Sequence, residues 1–510
     1  MTVLAEKAAP VVGFVSLGCP KNLVDSEVMM GLLDRAGARL TARPEEAEIL
    51  VVNTCSFIDT AKQESVDAIL EMARHKTSGS AKKLIVAGCL VERYRDEIRK
   101  TIPEVDAVVG TGELESILQA AGMAPDAAPS PFNILAGKPA LAANGHGPTP
   151  ALDAEPATHP HPARAEGDAR ERHGRFRRDR WQGAAHLLPT YLYDETTPRL
   201  LATPRASAYI KIAEGCDHPC SFCVIPNLRG KFRSRRFESV VAEATQLAAC
   251  GVREITLIGQ DTTCYGEDLG LKDGLALLLD ALAAIDDLRW VRFLYAYPNR
   301  ITGRLLDTMA RHDKICKYLD LPLQHASPDV LKRMKRGAGA EIFLKTLAKV
   351  RASVPGIALR TSFIVGFPGE SPRDLLLLEQ FIQEAQFDWL GVFAYSDEEG
   401  SGAHELDGKI SRRAIEARRR RLMRLQQSIS RQAKQAWVGR EVLLLAEGES
   451  PETPLLWEGR TQHHAPEIDG KVYINDFGPL PALEPGRFYR AQIAEAHDYD
   501  LVARILSGPL

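Results

Sequence analysis

No run of about 18 apolar residues occurs anywhere in the sequence, so a membrane-spanning helix is not expected. The first residues, MTVLAEKAAPVVGF, lack the basic start and continuous apolar core of a signal peptide, and a cytoplasmic chain with no membrane partner is expected. Net charge is nearly absent, −3 over 510 residues, so a case for nucleic acid or a membrane surface must come from local patches. Cysteine is sparse and odd in number. Nine residues scattered through so long a chain argue against a disulfide framework and for metal or redox chemistry. Apolar residues are plentiful, at 45%, and with this length they predict several separate cores, on the order of two to four domains.

The chain divides by pattern. Through residues 11–121, β-rich runs (VVGFVS, EILVVN, KKLIVA) alternate with amphipathic stretches, which predicts βαβ units and a parallel α/β sheet. Residues 122–190 collapse into Ala, Pro, Gly, His and Arg with too few large apolar side chains to offset ordering entropy, and are read as a disordered insert. In residues 202–430 the strand candidates AYIKIA, EITLIG, WVRFLY, YLDLPL, LRTSFIV and WLGVFA alternate with helical stretches, predicting a full or partial β/α barrel. An arginine-rich helix then leads into residues 433–510, where short runs between Gly, Pro and Asp turns predict a small antiparallel β-barrel of OB-like size.

Cysteine positions carry the chemistry. Cys216-Asp217-His218-Pro219-Cys220-Ser221-Phe222-Cys223 follows the strand AYIKIA and forms CxxxCxxC. Three thiolates on a four-iron cubane leave one iron without a protein ligand, open to a cofactor or substrate. The alternative is zinc with His218 as fourth ligand. The other constellation is dispersed: Cys19, Cys55 and Cys89 each fall just beyond a predicted strand, at spacings of 36 and 34 residues. The carboxyl ends of parallel strands share one crevice, so the three can converge on a second cluster. The alternative is three small buried core residues. Cys250, Cys264 and Cys316 show no such arrangement and are read as ordinary thiols.

The stretch Tyr209-Ile-Lys-Ile-Ala-Glu-Gly-Cys216 through Cys223-Val-Ile-Pro226 resembles the radical S-adenosylmethionine (SAM) cluster loop of the methylthiotransferases. Cys19, Cys55 and Cys89 match that family's auxiliary-cluster ligands, and Ser16-Leu-Gly-Cys-Pro-Lys-Asn-Leu-Val-Asp-Ser-Glu27 is similar to its RimO branch, which modifies a ribosomal protein. The resemblance implies a methylthiotransferase domain over residues 11–121, a radical SAM core over 202–430 and a TRAM domain over 433–510. It also implies two 4Fe-4S clusters and two uses of SAM: one molecule methylates a sulfur held at the auxiliary cluster, and another is cleaved to a 5′-deoxyadenosyl radical. A radical is needed because no ordinary protein base removes an unactivated C–H proton near neutral pH. The implied target is the β-carbon of an aspartate in small-subunit ribosomal protein uS12, alone or in the assembled subunit. An electron donor such as flavodoxin or ferredoxin is implied as partner.

SAM is expected across the carboxyl ends of the barrel strands, where parallel barrels place their chemistry. Gln260 and Asp261 after EITLIG, and Gly366 in the run to Glu370 after LRTSFIV, are the chosen contacts; Gln324 and His325 after YLDLPL are further candidates. Each also fits an ordinary turn after a strand, and His325 also fits a helix cap. The rival within the family is a tRNA methylthiotransferase. Residues 433–510 hold seven Lys or Arg against twelve Asp or Glu, a balance of −5, whereas a nucleic-acid grip should be basic, so a basic protein partner is expected and tRNA is not. Glu447, Glu449, Glu452, Glu458, Glu467 and Asp469 are the expected docking acids. A rival of another class is a non-catalytic iron–sulfur or zinc module, which needs no open iron.

Overall fold

The computed structural model describes residues 9–124 and 189–510. Most of the stretch read as a disordered insert, residues 125–188, lies outside the described residues.

The first unit is an all-parallel sheet of β1 (Val11–Ser16), β2 (Arg39–Thr41), β3 (Ile49–Thr54), β4 (Lys83–Gly88) and β5 (Ala107–Val109), ordered β2-β1-β3-β4-β5. Both faces are covered, as an all-parallel sheet requires. Ile49, Val51, Ile85 and Ala87 pack on the face of helix α1 (Pro20–Arg35); Leu50, Val52, Leu84 and Val86 pack on that of α2 (Asp59–Ser78) and α3 (Cys89–Thr101). Helix α1 is buried nearly all round. Val24, Val28, Met29 and Leu33 join the sheet core, while Asn22, Asp25, Ser26 and Glu27 are buried polar residues for which a second partner must exist.

That partner is the second unit. Its six principal strands, β6 (Ser207–Lys211), β9 (Glu254–Ile258), β10 (Trp290–Phe293), β11 (Tyr318–Asp320), β12 (Ala358–Val365) and β13 (Trp389–Ala394), match the six expected runs. They form two parallel sheets of three joined by the bridge Val291↔Ile315, a partial barrel. The expected run AYIKIA is broken after Lys211: the two-residue strand β7 (Ala213–Glu214) leaves the sheet to pair with β8 (Arg233–Ser234), which turns the chain into the CxxxCxxC loop.

The third unit is a closed barrel of β14 (Glu441–Ser450), β15 (Thr453–Arg460), β16 (Val472–Asp476), β17 (Phe488–Ala496) and β18 (Leu501–Ser507). Its loop 460–469 plugs the amino-terminal end of the six-stranded unit. Arg460 bonds Glu254 at 2.6 Å, Tyr318 donates its hydroxyl to Asp469 at 2.7 Å, and Trp389 donates to the His463 carbonyl at 2.8 Å. The first unit therefore covers one end of the strands and the small barrel the other. Among the described residues no helix is long and apolar enough to cross a membrane.

Candidate functional site

Cys19, Cys55 and Cys89 follow β1, β3 and β4, which are adjacent and parallel, so their thiols meet at one edge of the sheet. Gly18 permits the approach: at φ +92° it sits where a Cβ would come within 2.8 Å of the Cys55 Cβ. Cys19 caps α1 and Cys89 begins α3, so two helix amino termini favour thiolate there. Side-chain hydrogen bonds hold the three loops together. Asn53 donates to the Asn22 carbonyl and to the Ser26 hydroxyl, both at 2.8 Å, and the Ser56 hydroxyl donates to the Cys89 carbonyl at 3.0 Å. Burial, with the neighbouring cysteines adding to it, pushes the Cys55 thiol up to about 12 and the Cys89 thiol to about 11. The Arg229 guanidinium, 3.5 Å from the Cys89 sulfur, opposes this.

The second triad lies on a loop closed by its own backbone. Cys216 N–H donates to the Gly230 carbonyl at 3.1 Å, and Ile225 N–H donates to the Cys223 sulfur at 3.5 Å. Burial raises Cys216 to about 11 and Cys223 to about 12, with the neighbouring thiols adding to it. Arg336 approaches the Cys220 sulfur at 3.6 Å and lies 4.3 Å over the Tyr297 ring, against which His218 stacks at 3.9 Å.

The donor chemistry fits two clusters. Each set is three cysteines with a cation beside it, as thiolate ligands to iron require. Among the described residues, the one group of metal-ligating types whose donor atoms all lie within 4.8 Å of one another is His218, Asp261 and Cys264. Neither cysteine triad forms such a group among the described residues, whereas thiolates on one tetrahedral zinc sit roughly 4 Å apart, which favours a cluster over the zinc alternative. His218, its expected fourth ligand, is engaged elsewhere, 2.6 Å from Asp261.

A buried ionic network joins the two triads. Asp25 of α1 accepts from Lys211 at 2.5 Å and from Arg229 at 3.0 Å, and Glu214 accepts from the same two cations at 2.6 and 3.1 Å. Burial opposes ionisation of Glu214, yet the Arg229 and Lys211 charges outweigh it and hold its carboxyl below the ordinary range. Arg229 thus contacts an auxiliary-triad sulfur while sitting at the end of the helix Ile225–Arg229 that follows Cys223. Cys89 packs directly on Val224 and Leu228. Further contacts seat the first unit on the strand ends: Arg199 with Glu27 at 2.6 Å, and Arg93 with Glu398 at 2.7 Å.

The single-residue expectations divide. Gln260 donates to Glu214 at 2.7 Å, leaving its own buried carbonyl oxygen without a partner. Asp261 is buried and bonds His218, Cys264 and Thr263. Gly366 has a packing reason: a Cβ there would come within 2.3 Å of Ile415, and its N–H donates to Glu370 at 2.6 Å. His325 accepts from the Ser327 N–H at 3.0 Å, so the imidazole holds the turn into helix Pro328–Arg333 and caps none of the helix's own N–H groups. Of the expected docking acids, Asp469, Glu447 and Glu458 are not free: they bond Tyr318, Arg460 and Lys471 inside the protein. Glu449 and Glu452 stay exposed. Sequence reasoning assigned no role to Lys21, Asp25, Lys211, Glu214, Arg229 or Tyr295. The available signal was Lys211 and Glu214, two charges in a strand whose neighbours are otherwise apolar.

Three family profiles match the chain: Uncharacterized protein family UPF0004 over residues 11–110, the Radical SAM superfamily over 210–382 and the TRAM domain over 438–506. The ribosomal protein uS12 methylthiotransferase RimO of Koribacter versatilis is 65% identical over 97% of this chain and 96% of its own length. The protein of the same name from Solibacter usitatus is 55% identical over 97% and 95%. Among solved structures, the radical S-adenosylmethionine methyltransferase TsrM from Kitasatospora setae aligns over 76% of this chain and 75% of its own at 16% identity and TM-score 0.46.

Proposed function

The chain belongs to the RimO family of ribosomal protein uS12 methylthiotransferases, and from that premise we propose that it replaces a hydrogen on the β-carbon of a uS12 aspartate by a methylthio group. It is a radical SAM transferase whose cofactors are two 4Fe-4S clusters and SAM. In this reading Cys216, Cys220 and Cys223 hold the cluster that serves SAM, and Cys19, Cys55 and Cys89 hold the auxiliary one. When bound, these groups supply reductive cleavage of SAM, hydrogen removal by the resulting radical, and delivery of sulfur to the substrate carbon. The observation that carries the reading is the common border of the two triads, where Cys89 packs on Val224 and Leu228 and Arg229 bonds both Glu214 and the Cys89 sulfur.

The chain's own residues then have definite tasks. Arg229 and Arg336 place positive charge beside one thiolate of each triad, offsetting the penalty that burial puts on ionised sulfur. The pairs made by Asp25, Lys211 and Glu214 fix the first unit over the mouth of the six-stranded unit, which keeps water from a radical. Gln260, with one buried oxygen unpartnered, and Asp261 are the SAM contacts we favour at the strand ends. Gly366, in the loop after β12, is the third SAM contact of this reading. Residues 11–121, 202–430 and 433–510 are the domains of this reading, supported by the three matched profiles. A one-electron donor of the flavodoxin or ferredoxin class supplies the reducing equivalents, and the cytoplasm is the compartment where uS12 is met.

Deleting the gene and weighing intact ribosomal proteins tests the reading. A gain of about 46 Da, one methylthio group, should vanish from uS12. Its persistence, with loss of a methylthiolated tRNA base in its place, would establish the tRNA activity instead.

A further inference from the structure

Lys21 sits two residues after Cys19, yet its side chain leaves the first unit. Its ammonium lies 3.3 Å from the centroid of the Tyr295 ring, in the loop after β10, and donates to the Gly259 carbonyl, in the loop after β9, at 3.4 Å. The residue is 8% exposed. Among the described residues no carboxylate pairs with it, in a region where Lys211, Arg199, Arg229 and Arg93 all have carboxylate partners. An ammonium has three donors, and here it meets one carbonyl at long range and the ring and hydroxyl of Tyr295, none of them an anion at neutral pH. A buried cation without a counter-ion is unfavourable unless an anion arrives.

Its surroundings are those of a site. Tyr295 adopts φ +63°, a conformation side chains rarely take and one that persists where surrounding structure enforces it. Its backbone N–H is tied to Asp320 at 3.0 Å, and burial raises its phenol while the Lys21 ammonium opposes the rise. Gly259 precedes Gln260, which bonds Glu214 beside the second triad. The ammonium therefore stands between the auxiliary triad and the loops at the mouth of the six-stranded unit, where a substrate carbon reached from both triads would lie.

We infer that Lys21 is the specificity residue that receives the carboxylate of the substrate side chain, holding it at the border of the two triads. The inference rests on the proposed reaction and deepens it: the enzyme selects an acidic side chain because a fixed, dry cation waits for it. A neutral isostere leaves that cation unpaired and is rejected.

Steady-state kinetics on two forms of purified uS12 test this, one natural and one carrying Asp→Asn at the position the wild-type enzyme modifies, located by mass spectrometry. Wild type should prefer aspartate by about 100-fold or more in kcat/KM. Lys21→Gln should bring that ratio close to one by slowing the aspartate substrate, and Lys21→Arg should restore part of it. Iron content and SAM affinity, measured on the same preparations, should match wild type. A Lys21→Gln enzyme that keeps the wild-type ratio overturns the inference alone. So does loss of iron, which would make Lys21 a support of the auxiliary site, or loss of SAM affinity, which would assign it to the cofactor. A wild-type enzyme that leaves uS12 unmodified overturns the proposed substrate and this inference with it.

Discussion

The two cysteine triads are built in opposite ways. Cys216, Cys220 and Cys223 lie within eight consecutive residues, and one loop with its own backbone hydrogen bonds presents them. Cys19, Cys55 and Cys89 come from three different βα units and meet because β1, β3 and β4 are neighbours in one parallel sheet. A local motif depends on a turn, whereas a dispersed one depends on the whole sheet and on whatever seats that sheet against the rest of the molecule. The auxiliary site should therefore be the one that responds to changes outside itself.

The largest effect is expected at the local triad. Replacing Cys216, Cys220 or Cys223 by alanine should lower reductive SAM cleavage to background and remove about half the bound iron, read by product chromatography and iron analysis. Next comes the network between the sites. Arg229→Met strips a cation from buried Asp25 and Glu214, a change of about 3–5 kcal/mol in unfolding free energy by denaturant titration. Lys211→Met should destabilise by a similar amount, because it takes a cation from the same two carboxylates. The two variants separate the sites: Arg229→Met should also deplete auxiliary-site iron, since Arg229 touches the Cys89 sulfur, whereas Lys211 has no such contact. Equal iron loss in both would mean that the network acts only through stability.

A smaller effect concerns acid. Burial holds the His325 imidazole down at about 4 against 6.5 when unfolded. The unfolded chain then binds the extra proton first, so this contribution is complete above pH 6.5 and is lost as pH falls toward 4. It is on the order of 3 kcal/mol. A neutral His325→Gln protein should show a shallower fall of stability across that window, measured by denaturation at a series of pH values. No change in slope would show that the imidazole is not kept neutral.

Much of this was legible in the sequence, for physical reasons that differ by element. The principal strands of the central unit announce themselves because most of their side chains are buried on both faces and the apolar runs around them are nearly continuous, as in EITLI. The three-residue edge strands β2 and β5 leave too short a pattern to read. Strand β15 carries a weak signal because it is largely exposed at its start, with Leu455 82% open to solvent. The cysteines proposed as ligands stand out in the sequence because thiols at strand ends have few other uses. Asp25, Arg229 and Lys21 were not, since their meaning comes from contacts across more than 180 residues. Three of the six docking acids, Asp469, Glu447 and Glu458, are taken up inside the protein for a related reason. Counting charges sees a balance of −5 in residues 433–510 but not that Asp469 already faces Tyr318 and Arg360.

The most direct test of two separately held sites is a double readout on one variant. Anaerobically reconstituted Cys55→Ala should retain about half the wild-type iron, cleave SAM to 5′-deoxyadenosine, and add no methylthio group to uS12. Full iron together with methylthiolated uS12 from that protein would contradict the account.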